Sequence, residues 1–196
     1  MKSGIIAILI GLCAAAVYAQ PKKDSVGTFP VIKSYKWAAV HAVARRDFKP
    51  DPKAKYKIVI DFSVGPSNPK KDSLLIHDVN WGFGEVARLI NLHVADGIPV
   101  KNVEVVLAIH GPAIFSIMTD EAYEKKYNVK NPSLTLIQEL QNAGVKMYVC
   151  GQAMYFLGVK GEAILPSIGQ ALTAQTIMTS FIARGYQRQD YFNWPE

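Results

Sequence analysis

The chain has 196 residues, a length typical of one domain, and 49% of them are hydrophobic and 19% charged. This composition indicates a globular protein with a buried core, and it excludes a disordered tail or a collagen-like repeat. The net charge of +6 is unevenly placed: residues 22–57 hold 10 Lys and Arg against 3 Asp, whereas residues 58–196 hold 11 against 13 acidic residues. No arginine cluster is interleaved with aromatic residues, so nucleic acid is not predicted as a partner.

Residues 1–19 have the pattern of a signal peptide. Lys2 supplies a positive charge, residues 5–17 form an apolar run, and Val17-Tyr18-Ala19 places small residues before a cut after Ala19. The sequence therefore predicts an exported bacterial protein, periplasmic or secreted, with no membrane span after cleavage. An uncleaved anchor is the alternative.

Residues 20–55 are predicted to be a basic N-terminal extension. Four prolines interrupt them, and residues 36–46 are the one stretch with a helical pattern. An excess of positive charge is compatible with an acidic partner or a membrane surface, but a solvated extension explains it more simply.

From Tyr56 onward, apolar runs alternate with helical patterns. The runs predict strands over residues 56–65, 103–109 and 145–150, with residues 164–172 as a candidate fourth strand. Helices are predicted over residues 83–95, near 119–127, over 131–144 and in a short segment after 150. A final helix is predicted in the segment 173–186, where Gly185 ends it.

This alternation predicts an α/β fold for a domain spanning residues 56–196. We expect a three-layer sandwich in which a mostly parallel sheet of four or five strands has helices on both faces. In such folds, ligands bind beyond the carboxyl ends of the strands. The second predicted strand runs into His110 and Gly111, and the third ends on Cys150, followed by Gly151 and Gln152.

Cys150 is the only cysteine that would remain after signal cleavage, so no internal disulfide is predicted. Between a strand end and a helix N-terminus, backbone N–H groups favour the reactive thiolate, and His110 is a candidate to stabilise it or to move a proton. A cysteine among apolar neighbours is also compatible with an inert core residue, and a strand-end histidine with a structural hydrogen bond. Asp61 is predicted to hold a backbone group or a positive charge. No metal-ligand spacing and no phosphate-binding loop is present, so neither a metal nor a cofactor is predicted.

Four segments together resemble one protein family. "LINLHVADG" (89–97), "VEVVLAIHGPA" (103–113), "NAGVKMYVCGQA" (142–153) and "IARGY" (182–186) are similar, in order and spacing, to the DsrE/DsrF-like family of small sulfur-handling proteins. The resemblance implies a compact α/β fold and assembly into a homo-oligomer, a trimer or a hexamer. It also implies that a cysteine carries sulfur as a persulfide between partner proteins.

Carried over to this sequence, the resemblance assigns the sulfur-carrying cysteine to Cys150 and a catalytic role to His110. It also matches Gly111 and Asn91 to family positions, for which we expect binding roles, and it implies sulfur-donor and sulfur-acceptor proteins as partners. Independently of the resemblance, the backbone amides around Gly151 and Gln152 are expected to bind and stabilise the thiolate. Two other functions fit the same residues. One is an oligomeric binding or scaffolding module with a structural cysteine, and the other is a redox sensor that forms an intermolecular disulfide.

Overall fold

The computed structural model describes residues 27–66 and 73–190. In these ranges the chain forms one sheet of five parallel strands in the order β4-β3-β2-β1-β5. The strands are β1 (Tyr56–Phe62), β2 (Val103–Ile109), β3 (Lys146–Cys150), β4 (Gly169–Ala171) and β5 (Gln187–Gln189). The helices are α1 (Ser73–His77), α2 (Trp81–Ala95), α3 (Ala113–Ser116), α4 (Asp120–Tyr127), α5 (Leu134–Asn142), α6 (Gly151–Leu157) and α7 (Ala174–Ile182).

Helices cover both faces of the sheet, because successive residues of each strand point to opposite sides. On the first face, Leu107 and Ile109 of β2 join a large core with α2 and α5. On the second face, Val106 and Ala108 of the same strand pack against α7. The predicted three-layer α/β sandwich with a parallel sheet is thus confirmed.

The connections change sides between β3 and β4. The chain leaves β3 into α6, whose Met154 packs into the core of the first face, and it leaves β4 into α7 on the second face. Neighbouring strands whose connections leave to opposite faces define the topological switch point of an open α/β sheet. The carboxyl ends of β3 and β4 therefore form the position where this fold places binding sites.

The two edge strands differ from the sequence prediction. Only Gly169–Ala171 of the candidate strand 164–172 is a strand, because Pro166 has no N–H to donate and Ile164 forms an isolated bridge with Met118 instead. β5 was not predicted, since three polar residues carry no apolar alternation. The first strand ends at Phe62 rather than at residue 65, where the predicted run stops.

The extension packs along the outside of α2 rather than forming a helix of its own. Within the predicted helical stretch 36–46, only Lys36–Ala38 is helical, as one 3-10 turn. Asn91 of α2 explains this: its fully buried amide accepts hydrogen bonds from the N–H groups of Val31 and Ile32 and donates to the carbonyls of Ile32 and Ala38. The backbone of this segment therefore satisfies its hydrogen bonds against α2, in an extended form.

Residues 1–19, predicted as a signal peptide, lie outside the described residues. In residues 27–66 and 73–190, no helix has both the length and the apolar character that crossing a bilayer requires.

Candidate functional site

Four polar side chains form a row across the second face, at the carboxyl end of the sheet. They come from adjacent strands in the order β5, β1, β2 and β3, and they are Arg188, Asp61, His110 and Cys150. The strand register places them on this face, because residues paired across parallel strands point to the same side. Arg188 pairs with Val59, and Asp61 pairs with Ala108; both of these partners belong to the core under α7. This row is the candidate site.

Asp61 is the centre of the charged part of the row. Its Oδ1 lies 2.6 Å from Nε2 of His110, and its Oδ2 lies 3.3 Å from a guanidinium nitrogen of Arg188. Arg188 is also held by Asp190 at 3.0 Å, and the two carboxylates raise the pKa of this arginine. The guanidinium therefore remains a fixed positive charge, and one carboxylate orients the imidazole of His110.

Cys150 is the last residue of β3 and also the N-cap of α6. Its Sγ accepts a hydrogen bond from the N–H of Ala153 at 3.4 Å, the contact that a Ser or Asp cap makes through oxygen. Only 5% of the residue is exposed, and it packs among the residues that join the sheet to α7. The sulfur is thus placed beside backbone N–H groups, but it is covered.

Ala171 pairs with Cys150 across the sheet, and the short connection from β4 to α7 that follows it lies against the start of α6; we call this connection the cover. The N–H of Gln152 donates to the carbonyl of Leu172 at 3.1 Å, which ties this connection to α6. Gly151 makes the approach possible, since a Cβ at this position would lie 3.0 Å from the carbonyl oxygen of Ala171. Because β4 is an edge strand of three residues, its connection is held by few hydrogen bonds.

His110 and Cys150 are neighbours by register. Ile109 pairs with Val149, so His110 and Cys150, the residues that follow them, lie side by side on the second face. Their strands are about 4.8 Å apart. Among the described residues, however, His110 is hydrogen-bonded to Asp61, and the Cys150 sulfur accepts its hydrogen bond from the N–H of Ala153. The imidazole leans towards β1, and no direct hydrogen bond joins it to the sulfur.

The other predicted site residues lie at different places. Gly111 follows His110 in the turn to α3, with a φ of +53° that favours glycine. Gly151 and Gln152 form the start of α6 beside the sulfur. Asn91 lies on the first face and holds the extension, so the structure does not bring it to Cys150. All polar atoms of the Asn91 amide are used within the chain, which leaves none for a ligand.

Two residues of the row carried no functional prediction. Asp61 was predicted to hold a positive charge or a backbone group, and it does hold Arg188, but its bond to His110 was not foreseen. Arg188 was missed because it belongs to β5, whose pairing with β1 requires the crossover through α7. A lone arginine in a polar segment near the C-terminus gives no local signal for either contact.

In the part of the chain that the structure describes, no group of three or more His, Cys, Asp or Glu side chains is arranged to hold a metal ion. What the row offers is one sulfur nucleophile, one imidazole and a carboxylate–guanidinium pair. This set suits thiol chemistry assisted by fixed charges.

An exposed apolar surface adjoins the site. Tyr155 and Phe156 of α6 are 79% and 80% exposed, and Leu172 of the cover is 71% exposed. With Leu157 they form a surface that we call the α6 patch. Residues 147–159 contain no charged side chain, so the patch has the uncharged character of an oligomer interface.

The sequence model of the DsrE/DsrF-like family matches residues 78–187, more than half of the chain, and this range contains both His110 and Cys150. Among solved structures, a protein of unknown function from Methanobacterium thermoautotrophicum, MTH1491, is 15% identical, with a TM-score of 0.46 over 69% of this chain and 99% of that one. No curated protein matches. On the family match, this chain belongs to the DsrE/DsrF-like family.

Proposed function

We propose that this protein is a sulfur carrier that holds sulfane sulfur as a persulfide on Cys150. The observation that carries the proposal is the position of this thiol, at the switch point of the sheet and within the range that matches the family. The adjoining N–H of Ala153 and the charged row on the same face support it.

The proposed loading step is a thiol–persulfide exchange. The Cys150 thiolate attacks the outer sulfur of a persulfide or polysulfide, the sulfur–sulfur bond of the donor breaks, and its electron pair leaves with the donor thiolate. In the unloading step, a thiolate of the acceptor attacks the outer sulfur of the Cys150 persulfide, and Sγ leaves as the thiolate. Neither step needs an external oxidant or reductant, since sulfur is transferred without net electron transfer.

The row stabilises the negative sulfur in both steps. The Ala153 N–H donates directly to Sγ, and it can keep this bond when Sγ becomes the inner sulfur of the persulfide. His110 acts from the neighbouring strand, held in orientation by Asp61. Arg188 keeps the Asp61 carboxylate partly neutralised, which limits the repulsion between this carboxylate and a nearby thiolate.

Because Cys150 is covered, donor and acceptor reach the sulfur only when the cover moves. The β4–α7 connection is our choice for the segment that shifts, since its Leu172 carbonyl is bonded to the start of α6 and it follows the edge strand paired with Cys150. Local opening of a short edge strand requires far less free energy than unfolding the sheet. We therefore propose that the connection acts as the gate to the thiol.

The partners in this proposal are a sulfur donor and a sulfur acceptor outside the cytoplasm, together with other copies of this chain. The signal-like pattern of residues 1–19 supports the proposal of export, and the resemblance to the family supports the proposal of a trimer or hexamer. The α6 patch is our choice for the contact between copies, because its exposed rings lack charges and would be buried on assembly.

Intact-mass measurement after polysulfide treatment tests the proposal. We expect the native protein to gain the mass of one sulfur atom, and we expect a reducing agent to remove it. The measurement is made in a Cys13→Ser background, in which Cys150 is the only thiol, and adding Cys150→Ser to this background abolishes the gain. A gain that persists in Cys150→Ser, or no gain in the native protein, refutes sulfur carriage by Cys150.

The low exposure of Cys150 favours a second candidate, the binding or scaffolding module with a structural thiol. The two functions differ in how the thiol reacts with an alkylating reagent. A carrier with a gate is alkylated in the native state, at a rate set by local opening. A structural thiol is alkylated only under conditions that unfold the whole domain.

A further inference from the structure

The outer side of α2 carries a second surface, unrelated to Cys150, where exposed apolar and basic side chains alternate. The apolar members, Trp37 and Val43 of the extension and Leu92 of α2, are each more than 40% exposed. The basic members are Lys36, Arg46 and Arg88. We call these six residues the α2 flank.

Contacts in the structure join the flank into one surface. A guanidinium nitrogen of Arg88 lies 3.4 Å from the carbonyl oxygen of Trp37, and the ammonium group of Lys36 lies 5.0 Å from the centre of the indole ring. Leu92 lies one helical turn beyond Arg88 and lines a cleft together with Val43 and Arg46. The indole and the cleft are therefore neighbours along one side of α2.

The segment around the flank, residues 27–57, adds further basic and exposed apolar side chains. Residues 27–57 hold eight Lys and Arg against two Asp, a net charge of +6. Phe48, two residues beyond Arg46, is 78% exposed and is followed by Lys49. Arg46 is paired with Asp96, Arg45 with Asp47 and Lys55 with Glu104, so the charge next to the exposed rings comes from Lys36 and Lys49.

We propose that the α2 flank is a docking surface for an anionic lipid bilayer. Lysine side chains near a bilayer surface are attracted by anionic headgroups, and tryptophan is favoured at the boundary between headgroups and acyl chains. The flank offers both, on a segment that Asn91 fixes to α2. The protein would thus bind the bilayer peripherally, without spanning it.

Charge and apolar exposure together favour a bilayer over two other occupants. A second copy packed symmetrically against the flank would bring two surfaces with an excess of basic side chains together, which is unfavourable. A soluble polyanion would satisfy the lysines, but it would leave Trp37, Val43 and Phe48 in water. An anionic surface with an apolar interior accounts for both groups of side chains.

Co-sedimentation with lipid vesicles tests the proposal, using the full chain and also a chain that begins at Gln20, so that the apolar run 5–17 does not determine the result. We expect binding to phosphatidylcholine vesicles that contain phosphatidylglycerol, weakening with added salt, and no binding to phosphatidylcholine alone. Lys36→Glu combined with Lys49→Glu lowers the partition coefficient at least 25-fold, about five-fold for each lysine. Trp37→Ala combined with Phe48→Ala lowers it at least 10-fold.

The control is Ile182→Ala, which removes an exposed apolar side chain from α7, outside both the α2 flank and the α6 patch, and leaves vesicle binding unchanged. Quenching of tryptophan fluorescence by brominated lipid gives a second readout in the unaltered protein, and this quenching is lost in Trp37→Phe. The proposal is overturned by absent binding to anionic vesicles, or by equal losses in the control. Binding that is insensitive to Trp37 and Phe48 also overturns it, and indicates a purely electrostatic polyanion site.

Discussion

The gate over Cys150 makes a quantitative prediction about Thr173. This residue caps the N-terminus of α7: its hydroxyl oxygen accepts a hydrogen bond from the N–H of Gln175 at 3.3 Å. It also follows Leu172 directly, so the cap fixes the end of the connection that covers the thiol. Thr173→Ala removes the cap and weakens the cover, while the sulfur and its N–H donor remain as they are.

The magnitude follows from the interactions that opening breaks. These are the Gln152–Leu172 hydrogen bond and the capped first turn of α7, each contributing about 1 kcal/mol, together with part of the β4 pairing. An opening free energy of about 3 kcal/mol would slow alkylation of Cys150 about 150-fold relative to an exposed thiol. Loss of the cap lowers this free energy by about 1 kcal/mol, so Thr173→Ala is alkylated about five-fold faster than the native protein.

The rate is measured with a maleimide under native conditions, in a Cys13→Ser background in which Cys150 is the only thiol. Thr119→Ala is the matched control, because Thr119 caps α4 through the N–H of Ala122 at 3.2 Å, away from the cover. We expect no acceleration in the control. Equal acceleration in both variants would mean that alkylation requires global unfolding, and no acceleration in Thr173→Ala would mean that the connection is not the gate.

Three further predictions concern stability and assembly. Burial raises the pKa of Tyr123 to about 12. The unfolded chain therefore loses the Tyr123 proton first, near pH 10, and the free energy of unfolding falls by about 2 to 3 kcal/mol between pH 10 and pH 12. In urea unfolding measured against pH, we expect Tyr123→Phe to reduce this fall by about 2 to 3 kcal/mol. An unchanged pH dependence would refute the raised pKa. Asn91→Ala leaves buried backbone groups of the extension without hydrogen-bond partners, so we expect the free energy of unfolding in urea to fall by about 3 to 5 kcal/mol. We also expect faster proteolysis within residues 33–50. Unchanged proteolysis would show that other contacts hold the segment. We expect Phe156→Asp to dissociate the proposed oligomer in light scattering, whereas Phe48→Asp, equally exposed in the extension, leaves it intact. Dissociation by both or by neither would exclude the α6 patch as the interface.

The central strands and the position of Cys150 were predictable because local sequence determines them. β1, β2 and β3 are dense apolar runs, and a parallel sheet places their carboxyl ends at one edge. The contacts of Asp61 with His110 and Arg188 were not predictable, because they join residues 49 and 127 positions apart. Likewise, a buried asparagine in a helix gives no indication of whether it binds a ligand or, like Asn91, the backbone of a preceding segment.

The row changes what His110 is expected to do for Cys150. A histidine that accepts the thiol proton directly would be hydrogen-bonded to Sγ, as in a nucleophile–base pair. Here its Nε2 is held by Asp61, and the strand order places the ring between the carboxylate and the sulfur. In the proposed carrier, His110 therefore assists Cys150 from the neighbouring strand and does not take the thiol proton through a direct hydrogen bond. The Ala153 N–H stabilises negative charge on Sγ whether the sulfur is attacking or leaving, so this geometry fits a thiol that both accepts sulfur and releases it.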